Sequence, residues 1–265
     1  MINNSKIWIV SDVDGTLMDH FYDLTPAKET ITWLQSLRIP VILCTSKTKS
    51  EVRIIRDDLN LKDPYIVENG GAIYGEYSDG KEWEIILGKS YNILEQILNN
   101  LSKNINFKLR PLNTLSDDEA TNLTGLQGES LNLMRDRHWS MPFLNPPDKF
   151  DEDLKRLCEK FDVNIFRGNR MSHLLSKNSN KGIAIKKLLN KNENFNIQII
   201  GLGDSPNDVP LLINSNYKIV VSGINGPNQL LLNKLKGIEY YISKKPHGYG
   251  WKDEVFKLVT ELLNK

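Results

Sequence analysis

The sequence predicts an α/β fold: a parallel sheet with flanking helices, interrupted by a smaller and less regular insert. Three observations predict it. Apolar strand-like runs alternate with helical patterns from residue 6 to about 67, and again after about 174. Two of the runs end in acidic, glycine-bearing loops, Asp12-Val13-Asp14-Gly15-Thr16 and Gly203-Asp204-Ser205-Pro206-Asn207-Asp208. Between the two halves the alternation is lost, which gives an expected division into core 1–87, insert 88–175 and core 176–265. A chain of 265 residues is long for one simple domain and short for two large ones, so a core with an inserted module suits it.

The first strand is expected over residues 6–12. Thr25-Pro26 opens a helix, with Thr25 as N-cap and Pro26 at the first helical position, and the helix runs to about Leu37. Val41-Ile42-Leu43-Cys44 is a second strand, ending at Thr45-Ser46-Lys47-Thr48; a helix of mixed charge covers 48–59. Tyr65-Ile66-Val67 is a short strand before the turn Glu68-Asn69-Gly70-Gly71. Residues 72–87 read as a hairpin turning at Ser78-Asp79-Gly80. In the insert, helices are expected over Tyr91–Leu101, from Asp117–Ala120 onward, and over Asp148–Lys160, mixed with short strands. A helix then begins at Lys181 and ends near Asn190. Strands follow over 196–200 and 217–221, and a closing helix over 253–263.

The 34 basic and 33 acidic residues leave a net charge of +1, so nothing points to nucleic acid or an anionic membrane as a partner. The two cysteines, Cys44 and Cys158, fall in apolar and helical stretches. They are expected to be reduced, which favours a cytoplasmic location. No apolar run approaches roughly 18 residues, and the first residues carry no signal-peptide pattern. A monomer or weak homodimer is expected.

The chemistry starts at Asp12 and Asp14. In a strand, residues i and i+2 project to one side, so both carboxylates are expected together at the strand's carboxyl end, where open α/β sheets hold ligands. One carboxylate can attack while the other handles a proton, and a divalent cation keeps both usable despite their like charge. Alone, Asp-x-Asp also suits a turn, or the metal-holding pair of a sugar-nucleotide transferase. The second acidic loop favours the catalytic reading. Asp204 and Asp208 are hard oxygen ligands or their support, and with Asp12 and Asp14 they predict one Mg²⁺ site, with Asn207 supporting it. Thr45 and Ser46 stand where hydroxyls and backbone N–H groups can cap the next helix and also hold phosphate oxygens. Lys181 opens a helix, where the dipole disfavours a cation, so an anionic partner is expected beside it.

These four segments, in this order, resemble the haloacid dehalogenase superfamily of phosphohydrolases. Asp12-Val13-Asp14-Gly15-Thr16 matches its first motif, Thr45 the second, Lys181 the third and Gly203–Asp208 the fourth. The resemblance implies a Rossmann-like parallel-sheet core with an α+β cap of the C2 type between the second and third motifs. It implies that Asp12 attacks phosphorus, that Asp14 is the acid and then the base, and that Mg²⁺ bridges phosphate, Asp12, the Asp14 backbone carbonyl and Asp204. Thr45, Ser46 and Lys181 would neutralise the phosphoryl oxygens.

Most cap-bearing relatives carry Thr-Gly-Arg at the second motif. Thr45-Ser46-Lys47-Thr48 with Pro64–Ile73 instead is similar to the mannosyl-3-phosphoglycerate phosphatase family. So are Leu123-Thr124-Gly125-Leu126, Arg135–Phe143, Gly168-Asn169-Arg170-Met171-Ser172-His173 and Gly250-Trp251. A glycosyl-phosphoglycerate carries a phosphate and a carboxylate, and arginine offers a fork for a carboxylate. Arg137, Arg170 and His173 are therefore the expected substrate-binding residues of the cap. Met141 stands where the family usually has Glu; if that Glu touches sugar hydroxyls, the sugar preference differs here. The expected reaction is Mg²⁺-dependent hydrolysis of mannosyl- or glucosyl-3-phosphoglycerate, in compatible-solute synthesis. The alternatives are a sucrose-phosphate or general sugar-phosphate phosphatase, a phosphomutase, and a non-catalytic sugar-phosphate-binding module. The cap is expected to close over substrate, hinged near 87–90 and 174–178.

Overall fold

The computed structural model describes residues 6–19, 21–168, 170–192 and 196–264; Asn169, quoted above in one motif, lies outside them. Strand β1 (Ile7–Ser11) is buried at every position, because it lies mid-sheet between two parallel neighbours. Those neighbours are β2 (Val41–Leu43) and β9 (Gln198–Gly203). With β10 (Tyr217–Ser222) and β11 (Tyr241–Pro246) they form a parallel sheet in the order β11-β10-β9-β1-β2. A parallel bridge from Cys44 to Ile66 carries the sheet on to β3 (Tyr65–Val67). That strand pairs antiparallel with β4 (Ala72–Glu76), and β4 with β5 (Glu82–Ile86).

Alternate residues of β1 feed two apolar layers. Ile7 and Ile9 pack with α1 (Thr25–Ser36) and α10 (His247–Leu263) through Ile31, Leu34, Trp251 and Val255. Trp8 and Val10 pack on the other face with Ala184, Ile185 and Leu188 of α7 (Lys181–Lys191). Helices thus cover both faces, as a parallel sheet of continuous apolar runs requires. The short helix α2 (Lys49–Asp58) follows β2, α8 (Val209–Ile213) follows the second acidic loop, and α9 (Gln229–Lys234) lies between β10 and β11.

The insert has its own antiparallel sheet, β6 (Met141–Leu144), β8 (Met171–Ser176) and β7 (Val163–Arg167), in the order β6-β8-β7. Helices α3 (Tyr91–Asn104) and α6 (Asp151–Phe161) bury Leu94, Leu98, Leu101, Leu154 and Cys158 against Met141, Phe143 and Leu174. Helices α4 (Asp117–Thr124) and α5 (Glu129–Arg135) belong to a second small cluster with Met171. The α/β core with an inserted α+β module is thus as expected.

Several local expectations need correction. Thr25 is the first residue of α1 rather than its cap, and its amide donates to the Asp23 carboxylate (2.9 Å). The cap of α2 is Thr48, in a reciprocal capping box with Glu51, so Thr45 and Ser46 do not cap it. The closing helix begins at His247, six residues before the expected start at residue 253. Strand β8 runs to Ser176, so the second expected hinge, 174–178, begins inside a strand. Strand pairing also moves Met141. It faces Leu174, on the side of α3 and α6, and is fully buried there; His173, one residue away in register, faces the opposite side. The Met141 side chain thus packs into the insert's own apolar cluster.

Candidate active site

β1 ends at Ser11, so strand alternation does not govern Asp12 and Asp14. Both lie in the following loop, and they separate. Asp12 is buried, its amide donating to the Leu202 carbonyl of β9 (2.9 Å). Asp14 is half-exposed, and its carboxylate pairs with the buried ammonium of Lys47 (3.0 Å). Gly15 between the halves of the motif has φ +79°, and a Cβ there would stand 2.6 Å from Asp204 Oδ2. Thr16 Oγ1 donates to Asp204 Oδ1 (3.0 Å). The Gly-Thr of the first loop is therefore shaped to receive the acid of the second.

Lys181, at the start of α7, is fully buried. Its Nζ donates to Asp12 Oδ1 (2.5 Å) and Asp208 Oδ1 (2.6 Å). Burial works against its charge, yet Asp12 and Asp208 hold the ammonium well above the usual lysine range. The anionic partners expected beside Lys181 thus include these two carboxylates. Asp208 Oδ2 accepts the amides of Asp204 and Ser205 (both 3.0 Å), so Asp208 braces the loop as well as the lysine. Asn207 donates to Asn69 Oδ1 (3.0 Å) and accepts from the Ser205 hydroxyl.

Asp12, Asp204 and Asp208 each place a carboxylate oxygen within 4.8 Å of the others. Burial, opposed by Lys181 and reinforced by Asp208, pushes the Asp12 carboxyl up to about 7. Burial, then Asp208 and Asp12, raises Asp204 well above the usual carboxylate range. Three crowded carboxylates against one ammonium, with hard oxygen donors, fit a divalent cation. The side chain of Asp14 is not in that group and pairs with Lys47, which leaves the Asp14 backbone carbonyl as the group expected to face the metal.

Thr45 is buried and its amide already donates to the Ile66 carbonyl (3.0 Å); its hydroxyl accepts from the Lys47 amide (3.2 Å). Ser46 is partly exposed, and its carbonyl accepts from Arg137 Nη1 (3.0 Å). Core and insert enclose a cavity of about 470 Å³ above this loop. Asp14, Ser46 and Lys47 line it from the core; Arg137, Arg170 and His173 line it from the insert. Asp12, Thr45, Lys181 and Asp204 are not among its lining residues. Arg137 is buried, Arg170 is exposed and donates to the Thr124 carbonyl (2.8 Å), and Nδ1 of His173 is buried with no hydrogen-bond partner. Burial, then Arg137, pushes His173 down to about 3.

Three residues at this site escaped the sequence reading. Lys47 bridges Asp14 and Glu51 (3.4 Å to Glu51). Tyr22, with φ +64°, lines the cavity beside Lys47. Buried Glu68 grips the insert at His138, Trp139 and Ser140. Lys47 and Glu68 stand inside quoted motifs; the i,i+4 spacing of Lys47 and Glu51 is visible in the chain, but nothing in the linear sequence joins Lys47 to Asp14 or Glu68 to the insert, and a positive-φ tyrosine leaves no sequence signal.

The haloacid dehalogenase-like hydrolase family matches residues 9–230. A glucosyl-3-phosphoglycerate/mannosyl-3-phosphoglycerate phosphatase of Persephonella marina is 30% identical, over 96% of this chain and 97% of that protein. Among solved structures, a haloacid dehalogenase-like hydrolase from Bacteroides thetaiotaomicron superposes with a TM-score of 0.70 at 15% identity, covering 96% of this chain and 100% of that one. The sucrose-phosphatase of Synechocystis gives 0.64 at 16% identity, covering 95% and 97%. The two structures speak for the fold alone. With the match over most of the chain, the chain belongs to the haloacid dehalogenase-like hydrolase family and is a phosphatase.

Proposed function

We propose that this phosphatase hydrolyses a glycosyl-3-phosphoglycerate, mannosyl or glucosyl, to the glycosylglycerate and phosphate. The observation that carries the reading is the shared cavity. It sets the insert's Arg137, Arg170 and His173 opposite Asp14 and Ser46 of the core. Lys47 is already engaged by Asp14 and Glu51, so the two arginines are the cations left for a second anionic group beside the phosphate. The Persephonella marina relative supports the same substrate class.

In this reading an Asp12 carboxylate oxygen attacks phosphorus as the bond from phosphorus to the glycerate oxygen breaks. Asp14 gives its proton to that leaving oxygen. Water then attacks the aspartyl-phosphate at phosphorus, Asp14 takes the proton, and phosphate leaves with Asp12 restored. Lys181 holds Asp12 in place, and Thr45 and Ser46 stand at the phosphate loop. Asp12, Asp204 and the Asp14 backbone carbonyl would hold a divalent cation, proposed as Mg²⁺, with Asp208 and Asn207 supporting them. The cation supplies positive charge that offsets the crowded carboxylates and the phosphate. The insert over 88–175 acts as the cap.

The product class suits compatible-solute synthesis. A cytoplasmic setting is part of the proposal, supported by two free, buried cysteines, and so is a monomer or weak homodimer. Among the described residues no helix is long and apolar enough to cross a membrane. Steady-state kinetics on a panel of esters tests the substrate: mannosyl- and glucosyl-3-phosphoglycerate, sucrose 6-phosphate and hexose phosphates. The glycosyl-phosphoglycerates are expected to give the highest kcat/KM. A higher value for sucrose 6-phosphate or the hexose phosphates would overturn the reading.

A further inference from the structure

Glu68 follows β3 at φ +48°, a left-handed conformation that a glutamate rarely adopts. Its side chain is 1% exposed, and a buried carboxylate without donors is costly. The donors come from the insert. Oε1 accepts the His138 amide (2.9 Å), and Oε2 accepts the Trp139 amide (3.1 Å) and the Ser140 hydroxyl (2.6 Å). The Ser140 oxygen in turn accepts from Arg137 Nη1 (3.0 Å), which also donates to the Ser46 carbonyl (3.0 Å). Arg137 Nε is held by the Met134 carbonyl (3.1 Å). The Glu68 amide itself donates to the Lys47 carbonyl (2.9 Å). One hydrogen-bonded circuit thus leaves the core at Glu68, crosses the insert through Ser140 and Arg137, and returns at the loop of Ser46 and Lys47.

Packing closes around the same point. A Cβ on Gly71 would meet the Trp139 Cβ at 2.4 Å, and one on Gly88 would meet it at 3.0 Å. The Tyr91 amide donates to the His138 carbonyl (2.7 Å). The first crossing into the insert and the grip of Glu68 therefore share one tightly packed junction.

We propose that Glu68 is a positioning residue for substrate binding: acting through the Ser140 hydroxyl, it sets the guanidinium of Arg137 in the cavity wall and couples that setting to the seating of the insert on the core. The proposal rests on the reading above only in taking Arg137 as a substrate-binding group. A chain of charge-assisted hydrogen bonds fixes a side chain better than a single contact does, and the loss of one link is felt at the far end.

A double-mutant cycle tests it. The full-length enzyme, with its divalent cation, is assayed on whichever ester of the panel has the highest wild-type kcat/KM. Arg137→Met, Glu68→Gln and Ser140→Ala are each expected to raise KM, by about tenfold where one charge-assisted hydrogen bond is lost, and by more than they lower kcat. In the Arg137→Met background, Glu68→Gln is expected to raise KM no further. Additive effects overturn the proposal. So does a wild-type KM in Glu68→Gln or in Arg137→Met. If Glu68→Gln fails to fold, Ser140→Ala completes the cycle, since it keeps both amide contacts of Glu68. The ranking of esters judges the substrate; the coupling judges Glu68, so the two fail separately.

Discussion

Asp12, which is buried, and His173, which is partly exposed at the cavity wall with its Nδ1 buried, are two titratable side chains with different consequences. Asp12 lies within hydrogen-bond reach of Lys181 and one residue from a β1 strand that is buried throughout, so Asp12→Asn keeps shape and volume while removing the attacking oxygen's charge. Turnover is expected to fall by about 10⁴ or more, with the unfolding transition still cooperative; retained phosphatase activity would sink the covalent mechanism. His173 bears on stability. Burial, then Arg137, holds its imidazole at about 3, against an ordinary value near 6.5. Between those values the unfolded chain binds a proton that the folded chain refuses. Stability is therefore lost as pH falls from about 6.5 toward 3, and the penalty is complete below that. In urea melts, wild type is expected to lose more stability than His173→Gln between about pH 7 and pH 4. Identical losses would show that the imidazole is not held neutral.

Secondary-structure elements carry the site through their ends, and α2 shows how much one hydroxyl can do. Thr48 Oγ1 accepts the Glu51 amide (3.1 Å) and donates to the Leu133 carbonyl of α5 (2.8 Å), so it closes a core helix and pins the insert. Thr48→Ala is expected to cost about 1–2 kcal/mol in urea unfolding, with Thr48→Ser near wild type. Equal stability of the two variants would refute this. The same scale explains what could be read from the chain. β1, β2 and β9 are apolar runs ending in polar loops, so their existence and the placing of Asp12, Thr45 and Asp204 at their ends were legible. β11 was not: its Tyr241-Ile242-Ser243-Lys244-Lys245-Pro246 lies at the sheet edge, and only Ser243 is buried. β8 mixes Ser172 and His173 with apolar residues because Met171 and His173 line the cavity while Ser172 donates to Asn145 Oδ1 on the other face, where Arg167 of β7 pairs with Asp148 and Asp151. Glu68 was opaque for another reason: its partners stand 70 to 72 residues further on, and only the folded chain joins them.

At the scale of the whole molecule, the acidic groups come from the two halves that the insert separates, and they meet at neighbouring central strands. Thr16 and Asp204, 188 residues apart, are joined by a hydrogen bond, and Lys181 clasps acids from both halves. The carboxyl ends of β1 and β9 are adjacent in register, Ser11 beside Leu202, so one cation held by Asp12 and Asp204 would tie the halves together. Folding should therefore be linked to metal. A ligand bound only by the folded state stabilises it by RT ln(1 + [L]/Kd), about 2.7 kcal/mol at a hundredfold excess over Kd. Chelation is expected to abolish turnover and lower Tm, and Mg²⁺ to restore both. Asp204→Asn is expected to lose the Mg²⁺-dependent part of the Tm shift, because it removes a ligand charge while keeping an acceptor for the Thr16 hydroxyl. Calorimetric scans with chelator and with Mg²⁺, run on both proteins, decide it. Undiminished turnover in chelator, or a Tm that ignores Mg²⁺ in the wild type, would remove the cation from the site and leave Lys181 as the principal charge offsetting these acids.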